Sequence, residues 1–310
     1  MTERKTQSVD VSSLLKAYAP TIVLLALIIG LIIWSFSTGM AATEGAPAIT
    51  STAVILLIVV GLVAGVLGGI IGTGGCSVML PILHFYLGYP VPIAIGTTLF
   101  AVIFTAISGG YGHLIRKNLD VKTTLWLGGF GIIGVIIGSY AFNRLSDQTA
   151  LLGLILGIAF LLPAVRMIIE GVAHRKKSQP EGDVIPGSGG RKGLFGFVVG
   201  ILTGLVGLGG GYALVPGLIY LFNAPVYVTM GTSLATVIPL AIVGGGIKLA
   251  EGYVAIGAAL LLAAGTIVGA QIGAAVIKKF HPATLKLIFG VYFLYVSVKF
   301  ILAYFGIAIF

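Results

Sequence analysis

Two similar stretches of the chain, GTGGCSVMLP (Gly72–Pro81) and GLGGGYALVP (Gly207–Pro216), decide the fold. Each places at least three glycines within five residues, directly after a long apolar segment and before a short one. Glycine adopts backbone angles that are closed to other residues, so such a cluster does not continue a helix comfortably. Each stretch therefore predicts a break between two helical pieces.

The two stretches belong to one internal repeat. An offset of 135 residues takes Pro81 to Pro216, and it holds without a gap from Gly65 to about Thr149. Of the 85 aligned positions, 27 are identical, ten of them glycine, whereas about one in ten identities is expected by chance in so apolar a chain. The chain therefore contains two homologous halves.

The composition assigns both halves to a membrane. Hydrophobic residues make up 58% of the chain and charged residues only 9%, with a mean hydropathy of +1.13. Soluble domains carry about 25% charged residues, so a single soluble core is excluded. The 47 glycines suit closely packed membrane helices. We expect an all-α polytopic membrane protein.

A spanning helix needs roughly 20 apolar residues. The predicted spans are Thr21–Phe36, Ala53–Ile71, Val91–Ile107, Thr123–Phe142, Ala150–Ile169, Leu194–Val206, Tyr227–Gly244, Val254–Ile277 and Leu285–Ile307. Two apolar pieces that follow the breaks, Ser77–Leu87 and Tyr212–Phe222, are too short to cross, so we expect broken or re-entrant helices there. The chain divides into an N-terminal tail and extra helix (1–45), a first membrane repeat (46–172), a cytoplasmic linker (173–192) and a second repeat (193–310).

The extra N-terminal helix has an alternative interpretation. A basic lead, an apolar stretch and small residues through Ala41 resemble a signal peptide. Trp34 and Phe36 suit an anchor at the membrane interface, which favours a retained helix.

Positive charge predicts the orientation. Fifteen of the 18 Lys and Arg residues fall in four regions: the N-terminus, Arg116–Lys122, Arg166–Lys192 and Lys278–Lys286. Such clusters mark cytoplasmic ends, and they do not indicate a nucleic-acid partner. The exceptions, Arg144, Lys248 and Lys299, are expected elsewhere, with Lys248 in an outer loop. We expect a bacterial inner-membrane protein with a cytoplasmic N-terminus and a periplasmic C-terminus.

The same charges predict that the halves are inverted. Arg116 and Lys117 align with Glu251 and Gly252, so equivalent loops carry opposite topological signals. Inverted-topology repeats around a midplane site are typical of secondary transporters. We therefore expect both glycine breaks to lie at membrane depth.

Each break predicts an anion site, because a helix that resumes there presents free N–H groups and the positive end of its dipole. A second repeated motif, Gly96–Thr98 (GTT) and Gly231–Ser233 (GTS), adds hydroxyl groups, although packing by small residues explains it equally well. The candidate substrate-binding residues are Gly72, Thr73, Gly74, Gly75, Cys76, Ser77, Gly96, Thr97, Thr98, Gly207, Gly209, Gly210, Gly211, Tyr212, Gly231, Thr232 and Ser233.

The duplicated glycine-rich stretch, followed by a proline and by a G-T-[TS] motif, resembles the TauE/SafE family of sulfite and organosulfonate exporters. The resemblance covers Ala53–Lys299, and the first copy departs from the glycine run at Thr73 and Cys76. It implies two halves of about four membrane segments, substrate contacts at both motifs, and transport of sulfite, sulfoacetate or related anions.

Two histidines are candidates for carrying a coupling proton. His84 lies in the short piece after the first break, and His113 follows the third span, where a position at the lipid headgroups is the alternative. The lone Cys76 excludes an internal disulfide, and no metal-type Cys/His spacing, cofactor motif or catalytic cluster is present.

The leading hypothesis is a secondary transporter that exports a small sulfur-containing anion by alternating access, with no enzymatic activity. A passive anion channel is one alternative. A transporter of another small anion, or of a cation or metal, is a second one. The expected partners are the anionic substrate and the lipid bilayer, and a homodimer is compatible with the sequence.

Overall fold

A computed structural model describes residues 11–172, 182–279 and 282–307 of the chain. These residues form helices, turns and short connections, and they contain no β-strand. The all-α class predicted from composition is therefore confirmed. The start of the N-terminal tail (1–10) and most of the predicted linker (173–181) lie outside the described residues, and the division into four segments stays a prediction.

The helices of the first half begin with a peripheral one. They are α1 (Val11–Ser37), α2 (Ser51–Ile71), α3 (Cys76–Pro81), α4 (Val91–Ile115), α5 (Val121–Leu145) and α6 (Thr149–Val172), with a π-helical turn at Ile82–Tyr86 that extends α3. Asp120 begins α5 by accepting a hydrogen bond from the N–H of Thr123 at 3.0 Å, which satisfies one of the free donors of the first turn.

The second half follows the same order with closely matching boundaries. Its helices are α7 (Gly189–Val206), α8 (Gly211–Leu221), α9 (Val226–Ala250), α10 (Ile256–Val276) and α11 (Pro282–Tyr304), with a 3₁₀ turn at Ile277–Lys279. An offset of 135 residues maps both ends of α4 onto those of α9. The opposite orientation of the halves in a membrane stays a prediction.

Eight helices of the described residues are long and apolar enough to cross a membrane. They correspond to the first eight predicted spans. The ninth predicted span corresponds to α11, in which the residues Gly290–Tyr304 form a shorter apolar segment. Large apolar side chains face outwards along these helices, as in Ile55 (67% exposed), Leu125 (71%) and Leu162 (74%). In water such a surface would aggregate, so the chain is a multi-pass membrane protein.

Several spans are longer than predicted, and α4 shows why. The predicted end at Ile107 was wrong, because the helix continues through Gly109–Gly112 to Ile115. A β-carbon at Gly109 would press on the side chain of Leu234 in α9, so these glycines are helical positions that permit close packing. Glycine at these positions marks a close contact between two helices and not the end of a helix.

The helices pack in pairs, and each pair combines one helix of the first half with one of the second half. Helix α2 packs on α10, and its counterpart α7 packs on α5, while α4 and α9 pack together at the centre and α6 packs on α11. At the α2–α10 contact a β-carbon on Gly65 would lie 2.6 Å from the carbonyl oxygen of Thr266. Each half therefore completes its core with helices of the other half.

The repeat also extends into α6 and α11, with a slightly shorter offset of 133 residues. Gly157 packs against Ile301 and the carbonyl of Ser297, and Gly290 packs reciprocally against Ile168 and the carbonyl of Ala164. The second half is therefore two residues shorter than the first before its last helix. This shift explains why the ungapped match ends near Thr149.

Candidate functional site

The first break has the backbone geometry that its glycines suggest. Helix α2 ends at Ile71, and the chain passes through Gly72 (φ 79°), Gly74 (φ 76°) and Gly75 (φ 82°) before α3 begins at Cys76. All three angles lie in the left-handed region, where a residue with a β-carbon is strained. The break is thus encoded by residue type.

The second break repeats this geometry at the same relative positions. Gly207 (φ 69°), Gly209 (φ 68°) and Gly210 (φ 77°) connect the end of α7 to the start of α8 at Gly211. Both copies of the repeat keep this glycine-dependent turn, which indicates a role for its shape beyond helix packing.

The two breaks meet in the centre of the molecule. A β-carbon on Gly74 and one on Gly209 would both approach Val102 of α4 and Val237 of α9, which are themselves related by the offset of 135. Gly211 packs directly against Thr73, and a β-carbon on Gly209 would lie 2.9 Å from the Cys76 Sγ. The structure therefore brings the two candidate motifs, 135 residues apart in the chain, into one site.

The site is enclosed in this conformation. Every residue of 72–77 and of 207–212 is buried. Gly72 lies against Met230 of α9, and Gly207 lies against Ile95 of α4, so the breaks are walled by the central helices of the opposite half. A ligand can therefore reach the site only after the helices move.

Polar groups without protein partners surround the junction. The N–H groups of residues 74–77 and 208–212 donate to no backbone carbonyl of the described residues. The Tyr212 hydroxyl is buried and likewise has no hydrogen-bond partner there. The Cys76 thiol is buried at the same place. This arrangement offers several donors to an acceptor-rich or anionic ligand.

The second motif contacts the turns that follow the central helices. Gly96 packs against the Tyr253 carbonyl, and Gly231 packs equivalently against the Asn118 carbonyl. The Thr97 hydroxyl accepts a hydrogen bond from the N–H of Ala255 at 2.9 Å. The glycines and first threonines thus fasten each central helix to the other half.

The last hydroxyl of each motif behaves differently in the two halves. Ser233 donates to the carbonyl of Gly72 at 2.8 Å, directly at the first break. Thr98 donates instead to Ala94 of its own helix at 2.8 Å. In this conformation the motif hydroxyls bind backbone and do not form a shared cluster. Their role as ligand-binding groups stays a prediction.

The two histidines lie in different surroundings. His84 is half-buried, donates from Nδ1 to the Tyr89 carbonyl at 2.8 Å, and stacks on Phe300. His113 is fully buried in the last turn of α4, and its Nε2 donates to the Gly69 carbonyl at 2.9 Å. The structure buries His113 inside the protein, and its depth in the membrane stays a prediction. Proton coupling by either residue stays a prediction.

Lys248 is the residue that sequence reasoning missed. The expected outer loop is wrong: Lys248 belongs to α9, is 0% exposed, and donates to the Gly204 carbonyl at 3.0 Å. Its ammonium also lies 3.5 Å from the centre of the Phe142 ring. The signal was present in the alignment, since the offset of 135 pairs Lys248 with His113.

A polar cluster at the start of α5 fastens the end of the inter-repeat segment. Asp120 accepts from the N–H of Ile185 at 2.9 Å and from the Thr123 hydroxyl at 2.7 Å, while Lys192 donates to Thr123 and to the Ile185 carbonyl. Burial alone would raise the pKa of Asp120, but these hydrogen bonds and the nearby Lys192 charge lower it overall. The N–H of Asp120 donates to Thr232 at 2.9 Å, which links the cluster to the second motif.

Residues 56–300 match the family model described as sulfite exporter TauE/SafE. The chain belongs to the TauE/SafE family. This confirms the resemblance carried by the repeated motifs, and the matched range contains both breaks and both histidines.

Relatives of this TauE/SafE family member are described as membrane transporters, and the chain matches them over most of its length. It is 30% identical over 219 residues to the probable membrane transporter protein YdhB of Bacillus subtilis, covering 71% of this chain and 88% of that protein. It is 30% identical over 249 residues to the probable membrane transporter protein MJ0441 of Methanocaldococcus jannaschii, covering 75% and 89%. An 85-residue segment is 32% identical to the sulfite exporter TauE/SafE family protein 3 of Arabidopsis thaliana, covering 27% of this chain and 18% of that protein. No solved structure matches. The chain is a membrane transporter.

Proposed function

We propose that this protein is a secondary transporter that exports a small sulfur-containing anion, such as sulfite, sulfoacetate or a related organosulfonate. The proposal rests on the junction of the two breaks. There, backbone N–H groups of both halves and the partnerless Tyr212 hydroxyl surround one enclosed site. The sulfur chemistry comes from the description of the TauE/SafE family.

The number of hydrogen-bond donors at the junction supports binding of such an anion. Removing an anion from water costs several kcal/mol. A hydrogen bond to a charged group contributes about 1.5–3 kcal/mol, so four to six N–H donors offset that cost without a neighbouring Arg or Lys. The positive end of α8 adds to the attraction.

The enclosure of the site supports alternating access. Since both breaks are buried and each is walled by the opposite half, neither side of the membrane has a route to them in this conformation. We propose that the broken helices move against the central helices and expose the junction to one side at a time. A permanently open channel would leave the breaks accessible.

The cation or metal alternative finds little support in the part of the chain that the structure describes. It contains no group of three or more His, Cys, Asp or Glu side chains that could hold a metal ion. The free N–H groups at the junction present partial positive charge, which disfavours a cation.

We further propose the orientation predicted from charge, with the N-terminus in the cytoplasm of a bacterial cell and the C-terminus outside. The burial of Lys248 supports this orientation. The positive-inside rule counts residues in loops, so the buried Lys248 is no longer an exception to it. Fusions of alkaline phosphatase and of green fluorescent protein to each terminus would measure on which side of the membrane that terminus lies. Active phosphatase at the N-terminus would overturn it.

Binding and flux with one panel of anions test the substrate. Purified protein is titrated with sulfite, sulfate, thiosulfate, taurine, sulfoacetate and chloride, and proteoliposomes report flux. We expect a sulfur anion to bind best and flux to saturate at carrier-like turnover. A preference for chloride or for a cation would overturn the substrate, and channel-like conductance would overturn alternating access.

A matched pair of glycine variants tests the place of binding. Gly209→Ala puts a methyl group 2.9 Å from the Cys76 Sγ at a left-handed position, and we expect binding to fall at least tenfold. Gly246→Ala is the control, because nothing lies within 4 Å of that position. Equal binding by both variants would remove the junction from the site.

A further inference from the structure

Two buried side chains make the same contact at equivalent positions of the two halves. His113 donates to the Gly69 carbonyl at 2.9 Å, and Lys248 donates to the Gly204 carbonyl at 3.0 Å. The donors are related by the offset of 135, and so are the acceptors. Both donors are 0% exposed. The contact is therefore a repeated feature, although the side chains differ.

The accepting carbonyls belong to the last turns of the broken helices. The carbonyls one residue earlier, of Gly68 and Thr203, already accept from Gly72 and Gly207 at 2.8 Å. A helix leaves its last carbonyls without an internal partner, and its C-terminal end carries partial negative charge. His113 and Lys248 therefore satisfy the free ends of α2 and α7 directly before the two breaks.

The two contacts lie at opposite ends of the central helix pair. His113 lies beside Gly231 near the start of α9, since a β-carbon on Gly231 would be 2.9 Å from the His113 Cβ. Lys248 is 17 residues further along α9, which is roughly 25 Å in a helix. One contact therefore ties α4 to α2 at one end, and the other ties α9 to α7 at the other end.

We propose that His113 and Lys248 are opposed latches that close the two ends of the path to the paired breaks. Each latch joins a broken helix to the central helix of its own half, and releasing one of them opens the site towards one side only. The proposal rests on the alternating-access function above and adds the residues that control it. In this conformation both latches are engaged, in agreement with the enclosed site.

Each latch has an unused polar atom close by that suits a second state. The His113 Nδ1 has no hydrogen-bond partner among the described residues, and neither has the Oε2 of Glu251. Glu251 caps the C-terminal end of α9, three residues after Lys248 and so about one helical turn from it. On release, Lys248 can therefore turn towards a carboxylate, which keeps its charge compensated while α7 moves.

The single cysteine of the chain provides the probe for a test. Cys76 is fully buried at the junction, so reagents reach it only when a path opens. A membrane-impermeant maleimide is applied to right-side-out or inside-out vesicles carrying the full-length protein. We expect His113→Ala to raise the labelling rate about tenfold from one side, and Lys248→Ala to raise it about tenfold from the other side.

Conservative variants separate a latch from a packing role. His113→Gln and Lys248→Gln retain an N–H donor, so we expect labelling to return towards the wild-type rate. Cys76→Ser defines the background signal, and size-exclusion chromatography in detergent establishes that each variant is folded. Acceleration from the same side by both alanine variants, or unchanged labelling in a folded pair, would overturn the latches.

The outcome is independent of the substrate. Sulfite binding to the same variants is measured in separate samples without maleimide. Side-specific labelling without any binding of sulfur anions would retain the latches and reject the proposed substrate. Normal anion binding, together with labelling that is equally fast from both sides of the membrane, would retain the substrate and reject the latches.

Discussion

The two halves share a backbone but differ in the side chains that hold it. The first break is tied to the second half, because Ser233 donates to the Gly72 carbonyl. The second break has no such tie, because the corresponding Thr98 bonds to its own helix. Equal geometry therefore does not mean equal rigidity. Glycine positions preserve the shape of the site, while polar side chains make its halves unequal.

The turns that begin α5 and α10 show the same contrast. Asp120 holds Ile185 and lies beside Lys192, so it anchors the inter-repeat segment. Its counterpart Ala255 has no polar side chain and contributes only a backbone N–H, to Thr97. We expect the first half to be the more firmly held of the two.

The largest difference is expected between equivalent glycines of the two breaks. Gly72→Ala brings a β-carbon 2.6 Å from the Met230 carbonyl, which is backbone, whereas Gly207→Ala meets mainly the Ile95 side chain. Both substitutions carry the left-handed penalty of about 1–2 kcal/mol. We expect Gly72→Ala to cost about 3 kcal/mol or more and Gly207→Ala about 2 kcal/mol. Thermal unfolding in detergent measures this, and the reverse order would contradict the contrast.

The Asp120 cluster provides a test that depends on pH. Asp120→Asn keeps the shape but removes the charge, and we expect a loss of about 1–3 kcal/mol at pH 7. Since the folded-state pKa of Asp120 is lowered, its ionised form stabilises the protein above the unfolded value and loses that effect as pH falls through the folded value. The difference in Tm between wild type and variant should therefore shrink below about pH 4. A difference that stays constant with pH would assign the effect to shape.

Ser233 and Thr98 allow the two motif hydroxyls to be compared directly. Ser233→Ala leaves the Gly72 carbonyl without its donor, and we expect a loss of about 1–2 kcal/mol. Thr98→Ala removes a bond to a carbonyl within a helix and should cost about 0.5 kcal/mol. Chemical unfolding in mixed micelles distinguishes the two. Equal losses would show that the halves are held alike.

The smallest effect is expected on the outer face of α9. Gly246 is exposed and has open space around it, while the first half carries Tyr111 at the equivalent position. Gly246→Ala should stabilise the helix by about 0.5–1 kcal/mol without changing transport. A loss of stability would show that the added methyl group meets a neighbour that is absent from this structure.

Much of this fold was predictable because its signals are local. Apolar length identified the spans, and the offset of 135 paired the two breaks before any contact was known. The ends of α4 and α9 were not predictable in the same way. Glycine disfavours an isolated helix, yet Gly109 and Gly244 are helical because each packs against a leucine of the opposite central helix, Leu234 and Leu99.

The sequence by itself determined the membrane class, the duplicated breaks and the family, since hydropathy, glycine content and motif spacing act within a few residues of each other. Tertiary structure alone decided that the breaks touch and that Ser233 holds one of them. It also placed Lys248 on the Gly204 carbonyl, 44 residues away in the chain, where the sequence indicated an outer loop. A buried charge is tolerated only where folding supplies its partner, and such partners come from distant segments.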